Sequence, residues 1–207
     1  MSTYRLGTWA AGAVVAIGIA YVVTLTFGFA RVGFDEPIGD PVLAVMEVLT
    51  LLSAPPMVVA MAAVHDCAAT DRKIFGTVAL AFTVLFAGTT SAVHFVELTA
   101  SRQLGASGIA WPSNVYAAEL LAWDWFLGLA LLFAAPVFSG TTPERGVRRG
   151  LWICGVLTLA GTVGPVVGDM RLQRIGILGY AGVLPVVFFM LARLLLTKSR
   201  MASRFPA

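Results

Sequence analysis

The sequence predicts an all-α integral membrane protein, a single bundle of six transmembrane helices spanning residues 1–207 with both termini in the cytoplasm. Three observations carry that prediction. Hydrophobic residues make up 58% of the chain and charged residues only 12%, about half the charged share of a soluble globular domain. Apolar runs long enough to cross a bilayer, roughly 20 residues each, can be read at 7–30, 41–65, 74–98, 115–138, 150–168 and 174–196. The basic residues are also split unevenly between alternate connections. With the N-terminus inside, ten of the fourteen Lys and Arg fall on the cytoplasmic side (Arg5, Arg72, Lys73, Arg145, Arg148, Arg149, Arg193, Lys198, Arg200, Arg204) and four outside (Arg31, Arg102, Arg171, Arg174), the bias that sets orientation in cell membranes.

The first run carries Gly12 and Gly18 and no charge. It is too long for a signal-peptide core and lacks a small-residue cleavage site, so it reads as a retained helix. The second begins near Pro41 and meets Pro55-Pro56. Two prolines withdraw two backbone donors from the carbonyls one turn earlier. The expectation is either a kink patched by neighbours or a broken helix lining a site. The third carries a polar stripe in which Thr90, His94 and Glu97 share one face.

The fourth follows the interfacial and capping residues Trp111-Pro112-Ser113-Asn114. It holds Glu119 about one turn in, then Trp123-Asp124-Trp125 near the midplane. The fifth has Ala160, Gly164 and Gly168 four apart, a small-residue face open to a close helix neighbour or a homo-oligomer contact. The sixth has Gly176, Gly179 and Gly182 before Pro185. Neither Cys67 nor Cys154 is placed for a disulfide, and no Cys/His spacing suggests zinc.

The acids are the functional clue. Asp35, Glu36, Asp40, Glu47, Glu97, Glu119, Asp124 and Asp169 fall in the outer half or near the midplane, against Asp66, Asp71 and Glu144 on the cytoplasmic side. Acids contribute little to orientation, so topology does not explain the split. A carboxylate at a helix centre costs roughly 2.5–3.5 kcal/mol on insertion scales and persists where it meets a partner or a wet cavity. Glu47, His94, Glu97, Glu119 and Asp124 are therefore the candidate substrate- or ion-binding residues, expected in one outward-opening acidic pocket. Asp124, deepest and between two tryptophans, suits a proton-coupling site.

His94 and Glu97, with Glu47 or Glu119, would supply ligands for iron, manganese or zinc. No HExxH or paired ExxH pattern supports a metal, and no cofactor is expected. His65 and His94 cannot both ligate one haem iron, because they lie at opposite helix ends, about 30 Å apart along the helix. The net charge of +3 reflects topology and anionic headgroups, not nucleic acid. GxSxG, P-loop and GxGxxG motifs are absent.

The chain resembles other bacterial multi-pass membrane proteins, which implies no activity. On His94 with Glu97, Glu119 with Trp123, and Gly168-Asp169, it also resembles the emopamil-binding, sterol-isomerase type of membrane protein. Its spacing, helix count and surrounding sequence differ from that family. That resemblance implies an intramembrane His/Glu acid–base site.

Three readings follow. The first is binding, or proton- or cation-coupled transport, of a small solute through the acidic pocket. The second is an intramembrane enzyme acting on a lipid or isoprenoid-like substrate, with His94 and Glu97 or Glu119 as acid and base. The third is a structural subunit of the membrane. The sequence alone does not decide whether the chain is an enzyme.

Overall fold

A computed structural model describes residues 2–33, 36–105 and 109–204; Asp35, counted above among the outer acids, lies outside them. Among the described residues six helices are long and apolar enough to cross a membrane: α1 Thr3–Val32, α2 Val42–Cys67, α3 Thr70–Ser101, α4 Asn114–Val137, α5 Thr142–Val167 and α6 Met170–Ser203. No strand occurs among these residues.

Local chemistry sets the helix starts. Asp40 Oδ1 accepts from the Ala44 N–H (3.1 Å) ahead of α2, Ser113 Oγ from the Tyr116 N–H (3.1 Å) ahead of α4, and Asp169 Oδ1 from the Arg171 N–H (2.9 Å) ahead of α6. Each satisfies a first-turn donor that has no partner inside its helix. Gly168, at φ 76°, makes the left-handed turn between α5 and α6, a conformation that needs glycine. It therefore ends α5 and does not continue that helix's small-residue face.

Each helix packs against the next, and α6 closes back on α1, so the six form a ring in chain order. Gly7 near the start of α1 meets Ala63 near the end of α2 and Leu195 near the end of α6. Successive helices thus run antiparallel, and both termini share one end of the bundle. At that end Lys198 Nζ pairs with Glu144 Oε1 (2.7 Å), and Arg72 Nη1 donates to the Pro136 carbonyl (3.0 Å). The buried core includes Met57, Met61, Phe86, Leu127, Leu131, Leu151, Phe188 and Leu195. Large apolar side chains such as Trp9, Leu52, Phe95, Val156 and Phe189 stand exposed on the outside, an apolar surface of the kind a bilayer covers.

The double proline does not break α2, which continues from Val42 to Cys67 through it. Pro55 is exposed on the outer face. On the inner face the Thr50 hydroxyl donates to the Met46 carbonyl (2.9 Å) and the Ser53 hydroxyl to the Thr50 carbonyl (2.7 Å). The broken-helix expectation gives way to a continuous helix.

Three wide π-helical turns interrupt the ladders: Glu97–Ser101 in α3, Leu121–Phe126 in α4 and Leu178–Val183 in α6. Such turns shift the register of every side chain beyond them and recur at functional sites. Here they carry Glu97, Trp123, Asp124 and Tyr180.

Candidate functional site

A chain of hydrogen bonds links α3 to α4. The Trp123 indole N–H, which can only donate, gives its hydrogen to Thr90 Oγ1 (3.1 Å). The Thr90 hydroxyl proton is therefore free to go to Glu119, whose Oε1 and Oε2 lie at 3.0 and 3.1 Å. Glu119 Oε1 also meets His94 Nε2 at 2.7 Å. A carboxylate on that side assigns the proton of neutral His94 to Nε2, leaving Nδ1 as a bare acceptor. That Nδ1 is buried and has no hydrogen-bond partner among the described residues. The result is an imidazole oriented by a carboxylate with its second nitrogen unengaged.

His94 and Glu119 line a cavity of about 250 Å³ whose walls come from α1, α2, α3, α4 and α6. Most of its wall is apolar, including Val14, Ile17, Leu25, Phe29, Leu43, Met46, Met57, Leu120, Ile177 and Leu184. Its polar groups are Glu47, Thr50, Ser53, Tyr21, Tyr116 and Tyr180, besides the His94–Glu119 pair. Trp123 completes the wall, edge-on to Phe86 (4.8 Å between ring centroids) and tilted against Tyr180 (5.0 Å). Apolar walls with a few convergent polar groups are the usual make-up of a small-molecule site.

A second cavity, of about 240 Å³, is lined by Asp40, Leu43, Glu47, Glu97, Ser101, Arg102 and Gly105. Arg102 organises it. Its guanidinium pairs with Glu47 Oε2 (2.6 Å) and Asp40 Oδ1 (3.0 Å), and donates to Asp40 Oδ2 (3.2 Å) and to the Glu97 carbonyl (2.9 Å). Hydrogen bonding to Arg102 holds the Asp40 carboxyl below the ordinary aspartate range. Asp40 and then Glu47 raise the guanidinium in turn. Glu47 is 1% exposed; it lines both cavities and marks the boundary between them.

The five sequence candidates thus separate. Glu47, His94, Glu97 and Glu119 are all buried. Glu47, His94 and Glu119 share the larger cavity, whereas Glu97 accepts from the Ser101 hydroxyl (2.7 Å) and lines the second. The partner of His94 is Glu119 across the helix interface, not Glu97 on its own face. Among the described residues no group of three or more His, Cys, Asp and Glu is placed to hold a metal ion.

Asp124 lines neither cavity. It is fully buried where α4 meets α5 and α6. Its Oδ2 accepts from Gln173 Nε2 (3.3 Å), and its Oδ1 faces Gly161 and Gly176. Those glycines, together with Gly164 against Gln173, use the small-residue surfaces of α5 and α6 inside the chain.

Several residues here were not singled out by sequence. In the sequence Arg102 reads only as a topology charge, and Gln173 and Tyr180 match no motif. The available signals were an amide set between Arg171 and Arg174 at the start of the last helix and a tyrosine framed by Gly179 and Gly182. Comparison with protein-family models, curated proteins and solved structures finds no match to this chain.

Proposed function

We propose that this is a multi-pass protein of the cell membrane, N-in and C-in, whose larger cavity holds a lipid or isoprenoid-like molecule and transfers a proton on it. His94 is the base and Glu119 orients it. The observation that carries the reading is the 2.7 Å contact between His94 Nε2 and Glu119 Oε1 at a mostly apolar cavity, with Nδ1 of the same ring unengaged. When Nδ1 takes a proton the ring becomes cationic, and the adjacent carboxylate stabilises it, as in other carboxylate–imidazole pairs. Thr90 and Trp123 hold that carboxylate in place.

A total membrane-lipid extract incubated with the purified chain in D2O tests this. Mass spectrometry is expected to find deuterium entering a lipid species with the wild type and not with His94→Gln. Equal incorporation by both proteins removes the acid–base role.

The transport reading is favoured by one observation: Glu47 is shared by the two cavities, so a route from the second cavity to His94 passes its carboxylate. Flux of protons or monovalent cations into proteoliposomes, lost in Glu47→Gln, is the result that reading expects.

A further inference from the structure

The groups around the larger cavity also narrow the substrate class, an inference that rests on the acid–base reading above. Covalent routes find little here. The Thr50 and Ser53 hydroxyl protons are committed to backbone carbonyls, and neither Cys67 nor Cys154 is among the lining residues. Tyr180 differs. Gln173 Nε2 donates to Asp124 Oδ2 (3.3 Å) and to the Tyr180 hydroxyl (3.0 Å). The amide nitrogen cannot accept, and the carboxylate beside it fixes which way the amide is turned. The Tyr180 oxygen is therefore an acceptor toward Gln173, and its own proton points elsewhere. No described residue accepts that proton, and Tyr180 lines the cavity.

We propose that the cavity takes an apolar carbonyl compound with a C–H next to the carbonyl, and that Tyr180 is a second catalytic residue, donating to the carbonyl oxygen while His94 Nδ1 removes the adjacent proton. An imidazole cannot deprotonate an unactivated hydrocarbon at a useful rate. A C–H beside a carbonyl comes within its reach when the oxygen receives a proton or a strong hydrogen bond, a pattern in which a base and a tyrosine donor face each other in an apolar site. In the forward step the C–H pair becomes the enol C=C, the carbonyl π pair goes to oxygen, and oxygen takes the Tyr180 proton. In the return step the imidazolium of His94 protonates the same carbon, or the far end of a conjugated double bond, and Tyr180 regains its proton. When the imidazolium proton is exchanged with solvent before it is returned, the first outcome places solvent hydrogen on the carbon; the second shifts a double bond, and neither needs an oxidant. Gln173 and Asp124 act through Tyr180 as positioning residues.

Geranylacetone, a small isoprenoid ketone, is the probe, with the hydrocarbon of the same skeleton as comparator. The purified full chain in nanodiscs is incubated with it in D2O. Deuterium next to the carbonyl is read by mass spectrometry, binding by tryptophan fluorescence and folding by thermal unfolding. Expected are exchange above the protein-free rate, a loss on the order of 100-fold in His94→Gln, and one on the order of 100-fold in Tyr180→Phe with binding of the ketone nearly unchanged. Gln173→Met, which keeps the tyrosine but releases its hydroxyl, should lose part of the rate, and it carries the test if Tyr180→Phe unfolds. Equal exchange in wild type and Tyr180→Phe, or a ketone bound no better than the hydrocarbon, overturns the proposal. His94-dependent deuterium in the lipid extract with none in geranylacetone overturns the carbonyl assignment and leaves the acid–base reading standing. No His94-dependent deuterium in either overturns both.

Discussion

Gly161 on α5 lies against Asp124 on α4 so closely that a methyl group on the glycine would stand 2.8 Å from Asp124 Oδ1. The same methyl would meet the Gly176 Cα at 2.9 Å, and one on Gly176 would stand 2.5 Å from the same oxygen. The carboxyl therefore sits in a notch that exists because two helices lack side chains there.

Filling that notch should be costly. Gly161→Ala and Gly176→Ala are each expected to destabilise by about 1–3 kcal/mol, the range for overpacking a tight interior. Because both press on one carboxyl, the double variant should lose less than the sum of the singles. Thermal unfolding in detergent checks this, and strict additivity would mean the notch is not shared.

Asp124 itself separates a titrating role from a positioning one. Asn at 124 still offers Gln173 an acceptor, so Asp124→Asn is expected to fold normally and keep most deuterium transfer. Asp124→Leu leaves the buried Gln173 amide one partner short, at about 1–3 kcal/mol, and should reduce the rate. A well-folded Asp124→Asn that has lost activity would return Asp124 to a proton-coupling role.

Arg102 and Asp40 predict a pH dependence. With its pKa depressed in the folded chain by the Arg102 hydrogen bonds, Asp40 contributes stability above the ordinary aspartate value, about 3.9. That contribution is lost as pH falls through the lower folded value. Asp40 is more than half exposed, so the effect is modest and salt-sensitive. Melting temperature should decline below about pH 4 in wild type, with a shallower slope in Asp40→Asn. Arg102→Gln should be worse than Arg102→Gln with Glu47→Gln, because only the single variant strands a buried carboxylate.

Orientation is open to direct labelling. In a background with Cys67 and Cys154 replaced, Thr142→Cys is expected to react with a membrane-impermeant thiol reagent only from the cytoplasmic side, and Gln103→Cys only from outside. Labelling of Thr142→Cys from outside alone would invert the topology.

The six helices were legible in the sequence because hydrophobic length is a local property. Thr3–Val32 or Val42–Cys67 needs no partner to be recognised as long and apolar enough to span. The buried polar residues were legible for a related reason. An ionisable group inside an apolar run is costly wherever it points, so Glu47, His94, Glu97, Glu119 and Asp124 stood out before any neighbour was known. Their pairing was decided only by tertiary structure, since it depends on how each helix is rotated and where its register slips. Helical spacing put His94 beside Glu97, but packing of α3 on α4 gives His94 to Glu119, and Glu97 opens a wide turn beside Arg102. Asp124 followed the same rule: its depth could be counted along α4, yet the notch that holds it belongs to Gly161 and Gly176 on two other helices. The desolvation of a polar group is written in its own segment, whereas the donor that relieves it comes from elsewhere in the chain and is placed by packing.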